Sequence, residues 1–154
     1  MYLELKDHQN LEDNMLYFKK LHKDAVIPQR AHSGDAGMDV YSIEDIKIGP
    51  RFDVMTGLGL ACEFSSNYVL LVFNKSGRAT KLKLDKGAEV IDSSYRGEIH
   101  IHMFNHSDKW VFIPKGEKIA QLILMPIWDG NPEEVEELSD TSRGSGGFGS
   151  TGLK

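Results

Sequence analysis

The sequence of 154 residues lacks the features that mark several large classes of protein. It contains one cysteine, Cys62, which excludes an internal disulfide framework and favours a reducing compartment. No stretch approaches the roughly 20 consecutive apolar residues of a membrane span. The net charge of -5 is the opposite of the basic surface that non-specific nucleic-acid binding requires. The N-terminus has neither the apolar core of a signal peptide nor an Arg-rich transit sequence, so we expect a cytoplasmic protein.

Long helical periodicity is also missing from the sequence. Short apolar or alternating segments recur instead, separated by clusters of Gly, Pro, Asp and Ser. The predicted strands cover residues 15–21, 37–43, 52–61, 67–74, 98–105, 109–113 and 118–128, and residues 87–98 are predicted to form a β-hairpin. Many short strands at this spacing predict an all-β fold, whether sandwich, barrel or jelly roll.

The length predicts one domain with a substantial core. Residues 1–14 are expected to be a polar N-terminal extension, and residues 15–130 the β domain. Residues 131–142, NPEEVEELSDTS, are expected to be a solvated acidic connecting arm. Residues 143–154 form a separate Gly-rich C-terminal segment.

Two features could carry chemistry but have a structural interpretation that we prefer. Cys62, in the apolar run GLGLACEF, is expected to be a buried core thiol rather than a nucleophile. His100 and His102 lie on one face of a predicted strand and could begin a zinc site. No third ligand with a suitable spacing completes that site, so we interpret them as the polar face of the strand.

The C-terminal segment, RGSGGFGSTGLK, contains five glycines. Gly144, Gly146 and Gly149 match the dinucleotide fingerprint as a string, but that fingerprint needs a following helix and only five residues remain. A passive Gly/Ser tail is one interpretation. A phosphate-binding segment is the other, and Arg143 and Phe148 favour it because a passive tail does not need them.

Four further stretches place polar or charged side chains at turns beside strands. They are DAGMDVYS (35–42), FNKSGRATK (73–81), GAEVIDSSYRGE (87–98) and KGEKIAQLIL (115–124). With the C-terminal segment, and in this order, they resemble the five motifs of the trimeric dUTPases (deoxyuridine triphosphate nucleotidohydrolases). The resemblance runs from about Ala25 to Gly152.

The resemblance implies a jelly-roll-like β fold and a homotrimer with active sites at the subunit interfaces. It also implies hydrolysis of dUTP to dUMP and pyrophosphate with Mg²⁺, which limits uracil in DNA and supplies dUMP for dTMP synthesis. The C-terminal segment is then expected to be a mobile lid that substrate orders. A lid of this kind needs no following helix.

Three residues receive specific roles from the resemblance. Asp92 is implied to be the general base that activates the attacking water; the structural alternative is a turn-capping aspartate. Asp39 is implied to hold Mg²⁺ through water, since Mg²⁺ keeps several waters and binds few carboxylates. Tyr95 is implied to pack beneath the deoxyribose and to leave no room for a 2′-hydroxyl; the alternative is a core aromatic in a turn.

The resemblance also implies how the rest of the substrate is held. Uracil is expected to bind the backbone of residues 87–92, Phe148 to stack on the base, and Arg143 to grip the terminal phosphates. The full set of implied substrate-binding residues is Lys75, Ser76, Gly77, Ala88, Glu89, Val90, Tyr95, Gln121, Arg143, Phe148, Gly149, Ser150 and Thr151.

Two positions depart from the family pattern. Lys75 stands where motif two usually has Arg. Lysine keeps the positive charge but lacks the bidentate guanidinium group. Glu89 stands where motif three usually has Gly, and it fits only if its φ is negative and its side chain points outward.

Two other functions stay open beside dUTP hydrolysis. One is a dCTP deaminase, because those enzymes share the fold. The other is a nucleotide-gated binding protein that has the fold without the activity. The intact Asp92, Tyr95 and C-terminal segment favour the hydrolase.

Overall fold

The computed structural model describes residues 16–128 and 130–147. Within these ranges the chain forms eleven β-strands and one short α-helix, α1 (Ser76–Leu82). The strands in chain order are β1 (Leu16–Lys20), β2 (Met38–Tyr41), β3 (Ile46–Ile48), β4 (Asp53–Gly57), β5 (Leu60–Phe64), β6 (Tyr68–Phe73), β7 (Leu84–Gly87), β8 (Val90–Ile91), β9 (His100–Asn105), β10 (Val111–Ile113) and β11 (Lys118–Pro126). No helix in the described ranges is long and apolar enough to span a membrane.

The strands pair antiparallel in four small sheets. Their orders are β1-β5, β10-β3, β2-β11-β6-β8 and β4-β9-β7. Most neighbours within a sheet are far apart in the sequence, as where β2 pairs with β11. This exchange of strands between packed sheets is a jelly-roll-like all-β architecture, so the predicted fold class is confirmed.

The core lies between the apolar faces of these strands. In β9, Ile101 and Met103 are buried while His102 and Phe104 face outward, and the predicted separation of the two faces is confirmed. Leu70 and Leu122, on the adjacent strands β6 and β11, are fully buried. Burial of one such side chain contributes about 1.5–3 kcal/mol, so the core fixes these strands and the polar residues at their ends.

Most of the predicted strands are confirmed to within about two residues at each end. The prediction of a single strand over 52–61 is wrong, because β4 ends at Gly57 and β5 begins at Leu60. Gly59, with a φ of +64°, turns the chain between them in a left-handed conformation that glycine adopts without a steric penalty. The two strands then pair with different partners, β9 and β1.

α1 is not among the elements predicted from the sequence. The helix has seven residues, which is too short for helical periodicity to stand out. It ends at Lys83, whose φ of +57° is the left-handed conformation usually taken by Gly at this position. Lys75, Arg78 and Lys81 are spaced by three residues, and that spacing was the available signal, because residues three apart share one face of a helix.

The predicted hairpin over 87–98, with Asp92 and Tyr95 at one end, is also wrong, because residues 92–98 form no strand that could pair with β8. β7 pairs with β9, whereas β8 pairs with β6 in a different sheet. Residues 88 and 89 therefore carry the chain from one sheet to the other. Ala88 turns the backbone there with a φ of +53°.

Candidate active site

A buried aspartate holds two lysines at one end of the β2-β11-β6-β8 sheet. Asp39 lies on β2 opposite Gln121 of β11, and it is 4% exposed. Its Oδ2 accepts a hydrogen bond from Lys118 Nζ at 2.7 Å, and its Oδ1 accepts one from Lys75 Nζ. The two lysines arrive from different directions, because Lys118 begins β11 and Lys75 precedes α1.

The two ammonium groups determine how Asp39 titrates. Burial alone would raise the pKa of Asp39, but the hydrogen bonds and charges of Lys118 and Lys75 outweigh it and hold the pKa below its usual range. Asp39 in turn raises the pKa of Lys118. The two hydrogen bonds to Asp39 hold both lysine side chains in position.

These lysines form one wall of a cationic cleft beside α1. The cleft has a volume of about 380 Å³ and is lined by Lys75, Gly77, Arg78, Lys81, Leu82 and Lys118. Arg78 donates from Nε to the backbone carbonyl of Lys118 at 3.1 Å and pairs with Glu117. Four cations around one cleft in a chain of net charge -5 give it the local charge that an anionic ligand requires.

The predicted contacts Ser76 and Gly77 begin α1 at the edge of the cationic cleft. Both are exposed, and Gly77 lines the cleft. The first N–H groups of any α-helix have no partner within the helix, so they can donate to a ligand. Lys75 itself contributes a single ammonium group whose hydrogen bond goes to Asp39.

Asn74 and Gln121 fix the turn that leads into α1. Gln121 donates from Nε2 to the backbone carbonyl of Asn74 at 2.8 Å. The Asn74 side chain accepts from Lys86 Nζ at 2.5 Å and donates to Asp85 at 2.9 Å. Gly37 leaves room for Gln121, because a Cβ at residue 37 would lie 2.1 Å from Gln121 Oε1. Asn74 is not among the predicted site residues.

We expect Asp39→Asn to lower the free energy of unfolding by about 1–2 kcal/mol at neutral pH. This is less than the roughly 3–5 kcal/mol for breaking a fully buried ion pair, because both ammonium groups reach solvent. The depressed pKa means that this stabilisation is present above about pH 3.9, the ordinary pKa of Asp, and is lost as the pH falls through the lower folded value. Urea denaturation of the parent and of Asp39→Asn, at pH 7 and at pH 3, measures the difference in their free energies of unfolding. An equal difference between parent and variant at both pH values would contradict the ion-pair assignment.

A second cavity lies at the end of β8, and Asp92 stands at its edge. This Asp92 pocket has a volume of about 270 Å³, and its lining residues are Met55, Ala88, Val90, Ile91, Asp92, Tyr95, Glu98, Ile99 and His100. Asp92 and Tyr95 are both exposed, and Tyr95 donates its backbone N–H to the Asp92 carbonyl at 3.0 Å, which closes a turn. None of the described residues pairs with the Asp92 carboxylate, so it can act on a ligand in the pocket.

The strand beside this pocket has one edge that no other described strand pairs with. β8 is the last strand of its sheet, with β6 on one side only. Its outer edge presents backbone N–H and C=O groups, which can bind a planar base that carries complementary donors and acceptors. Among the predicted contacts, Ala88 and Val90 both line the pocket.

Glu89 satisfies the backbone condition set by the sequence analysis. Its φ is not positive, because Ala88 takes the left-handed conformation instead, and the Glu89 side chain is exposed. The Glu89 carbonyl accepts the N–H of Val72 at 2.9 Å, which holds the crossing segment against β6. Burial lowers the pKa of the nearby Lys86, and the charges of Glu89 and Asp85 oppose that shift.

The predicted site residues thus form two groups that do not share a cavity. Lys75 and Gly77 line the cationic cleft, with Asp39 bonded to Lys75 beside it. Ala88, Val90, Asp92 and Tyr95 line the Asp92 pocket. Arg143 begins the C-terminal segment and lines neither cavity. Its Nε donates to the Gly146 carbonyl at 2.8 Å. The predicted contacts Phe148, Gly149, Ser150 and Thr151 lie outside the described residues.

The described residues contain no group of three or more His, Cys, Asp and Glu side chains that could hold a metal ion. His100 and His102 contact Glu98 and Asp53 respectively. Each Asp39 oxygen accepts one ammonium group, which leaves further acceptor positions on the carboxylate for a metal-bound water. Cys62 is buried, as predicted, and burial raises the pKa of its thiol to about 11.

Comparisons with known proteins agree with the motif order. The dUTPase family model matches residues 23–152. The chain is 46% identical over 140 residues to the deoxyuridine 5'-triphosphate nucleotidohydrolase of Clostridioides difficile, covering 90% of this chain and 98% of that protein. It is 44% identical over 139 residues to the protein of the same name from Nautilia profundicola, covering 89% and 98% of the two chains.

Solved structures show the same relationship. The dUTPase of Staphylococcus bacteriophage 80alpha with dUPNHPP has a TM-score of 0.85 and 32% identity, covering 91% of this chain and 99% of that one. A dUTPase variant of phage phi11 of S. aureus, with a structural Mg(II) ion, has a TM-score of 0.75 and 27% identity, covering 80% and 98%. The chain therefore belongs to the dUTPase family.

Proposed function

We propose that this chain hydrolyses dUTP to dUMP and pyrophosphate. The observation that carries the proposal is the Asp92 pocket, where a carboxylate that no described residue pairs with and an exposed tyrosine stand beside a strand edge that no described strand covers. The pocket suits a pyrimidine nucleoside, and the cationic cleft suits a phosphate chain. The names of the similar proteins and the dUPNHPP complex of the phage enzyme support the same substrate.

Asp92 acts as the general base in this proposal. Its carboxylate takes a proton from a water molecule as the water oxygen attacks phosphorus, and the bond to the leaving pyrophosphate oxygen breaks. Positioned general bases typically contribute about 10²–10⁴-fold to such reactions. Asp92 suits this role because it lies at the edge of the pocket and none of the described residues pairs with its carboxylate.

The pocket walls select the nucleoside. The outer edge of β8, with the backbone of Ala88, Glu89 and Val90, pairs with the donors and acceptors of uracil and leaves cytosine mispaired. Tyr95 packs beneath the sugar and excludes a 2′-hydroxyl. Phe148 stacks on the base from the other side.

The cationic cleft holds the phosphates. Lys75, Ser76, Gly77 and Gln121 contact them as the family pattern implies. The structure adds Lys118 and Lys81 to the cations available for this binding. Asp39 fixes Lys75 and Lys118, and charge-assisted hydrogen bonds from such groups are each worth about 1.5–3 kcal/mol.

We propose a homotrimer in which each active site joins the Asp92 pocket of one subunit to the cationic cleft of another. The separation of the two cavities within one chain supports this, because a single nucleotide must reach both groups. Exposed apolar residues at the end of β11, including Ile127 and Trp128, also favour subunit contacts. Arg143, Gly149, Ser150 and Thr151 then bind the terminal phosphates, with residues 143–154 as the lid.

Mg²⁺ is the proposed cofactor, bound chiefly by the phosphates of the substrate. It would supply charge neutralisation on the triphosphate, which needs few protein ligands. Asp39 as a ligand through water stays a prediction. The steps assigned to this chain's own residues do not depend on it. The buried Cys62 thiol supports the further proposal of a cytoplasmic location.

The decisive assay is pyrophosphate release from dUTP, compared with dCTP, dTTP and UTP, with and without Mg²⁺. We expect rapid pyrophosphate release from dUTP but not from the other three nucleotides. We expect it only when Mg²⁺ is present. Ammonia release from dCTP would identify a deaminase instead. Binding of dUTP without turnover would identify a nucleotide-gated binding protein.

A further inference from the structure

We infer that Gly97 and Glu98 set the position of the Tyr95 ring and thereby the discrimination between deoxyribose and ribose. The inference rests on the proposed function, since it concerns how the same pocket selects its sugar. Neither residue needs to touch the substrate. Both are positioning residues that act through Tyr95.

The Tyr95 ring lies directly against the backbone of Gly97. A Cβ built on residue 97 would stand 2.4 Å from the Tyr95 hydroxyl oxygen and 2.5 Å from Cζ, far inside contact distance. Only glycine therefore permits this ring position. Gly97 does not have a positive φ, so close approach of the ring, rather than backbone conformation, explains the glycine.

A hydrogen bond fixes the far end of the ring. The Tyr95 hydroxyl donates to the Glu98 carbonyl at 2.9 Å. Tyr95 is 45% exposed, and an exposed side chain without such a tether would exchange between rotamers. Contact with Gly97 and the bond to Glu98 together leave the ring one position at the wall of the Asp92 pocket.

The Glu98 side chain anchors this arrangement to the turn between β4 and β5. Glu98 Oε1 accepts the N–H of Gly59 at 2.7 Å. The carboxylate also fills the space above Gly57, where a Cβ would lie 2.3 Å from Oε1. The next residue, Ile99, bonds through its backbone to Leu58 and Leu60 on either side of the turn. The carbonyl that receives the Tyr95 hydroxyl is thus held by the rigid sheet.

Gly97→Ala is the direct test. The added methyl first meets the end of the Tyr95 side chain, which can move, so the ring is displaced while the backbone stays. We expect the ratio of kcat/KM for dUTP over UTP to fall about 10-fold or more, with an unchanged melting temperature. Gly49→Ala is the matched control, because its new Cβ finds no atom nearer than 3.4 Å and no positive φ is involved. It should behave as the parent.

The role of Glu98 is tested by a conservative pair. Glu98→Ala removes the acceptor for Gly59 and should lower the dUTP/UTP ratio. Glu98→Gln keeps an oxygen acceptor for the Gly59 N–H, so its dUTP/UTP ratio should stay near that of the parent. Equal ratios for parent, Gly97→Ala and Glu98→Ala would overturn the inference.

A readout without turnover separates this inference from the proposed function. A ring stacked on Gly97 shifts the Gly97 α-proton resonances upfield in the NMR spectrum, and Tyr95→Leu should abolish that shift. Calorimetric binding of dUMP against UMP gives the sugar preference without catalysis. If the parent protein fails to hydrolyse dUTP, the proposed function is wrong, whatever the variants do. A parent that prefers dUMP, with the same preference in Gly97→Ala, would refute only the positioning role.

Discussion

Asp92→Asn is expected to lower kcat for dUTP by about 10²–10⁴-fold, the contribution of a positioned general base. Asparagine keeps the size of the side chain but cannot accept a proton from water. The turn should survive, because it is closed by the backbone bond between Tyr95 and the carbonyl of residue 92. Steady-state kinetics give kcat, and calorimetry with a non-hydrolysable dUTP analogue should show binding largely retained.

Asp108→Asn is a suitable control for that experiment. Asp108 is an exposed turn aspartate that pairs with Arg51 and lines neither cavity of the candidate site. Exposed ion pairs of this kind are worth about 0–1 kcal/mol, so the control should keep its activity and nearly all of its stability. Turnover by Asp92→Asn at a rate near that of the parent would show that the base has been assigned to the wrong residue.

The sequence predicted the parts of the site that depend on local pattern. The alternation in β9 placed Ile101 and Met103 inside and His102 outside, because side chains alternate strictly across a strand. The order of the five motifs pointed to Asp92 and Tyr95, and the structure brings both to the edge of one pocket. Their catalytic and sugar-binding roles stay predictions.

The arrangement around Asp39 could not be read from local pattern. Lys75, Lys118 and Asp39 are separated by up to 79 positions in the sequence (118 − 39), and they meet only because β2, β6 and β11 are neighbours in one sheet. The wrong hairpin over 87–98 has a similar cause. The turn residues from Asp92 to Tyr95 predict a hairpin, but residues 92–98 form no strand and β8 pairs with β6 instead. Strand pairing of this kind is decided by the global fold rather than by the turn.

The surroundings of Lys75, where the chain departs from the family pattern, also could not be read from the motif. The chain has Asn74 immediately before Lys75, and the Asn74 side chain bonds to Asp85 and Lys86 of β7. The turn before α1 is therefore held by a side-chain network. Four cationic side chains line the cleft, Lys75, Arg78, Lys81 and Lys118, so its positive charge does not depend on a guanidinium group at residue 75.

Deletion of residues 143–154 is the second change for which we expect a large loss of activity. The described part of this segment is bonded mainly to itself and to the arm, as in the bonds from Arg143 to Gly146 and from Gly144 to Thr141. No residue of the described part, 143–147, belongs to the core, so we expect the truncated protein to assemble and melt as the parent does without nucleotide. Ordering twelve residues costs roughly 1–2 kcal/mol each, which favours closure only when the triphosphate supplies several charged hydrogen bonds in return.

The truncated protein should therefore lose activity by at least about 10²-fold, the scale for removing one donor to the transition state. A non-hydrolysable dUTP analogue with Mg²⁺ should raise the melting temperature of the parent more than that of the truncation, because ligand that binds only the native state stabilises it by mass action. Glu136→Gln, on the exposed acidic arm, is the control and should match the parent in both measurements. Near-full activity after the deletion would make residues 143–154 a passive linker, and the grip on the terminal phosphates would then have to come from the cationic cleft alone.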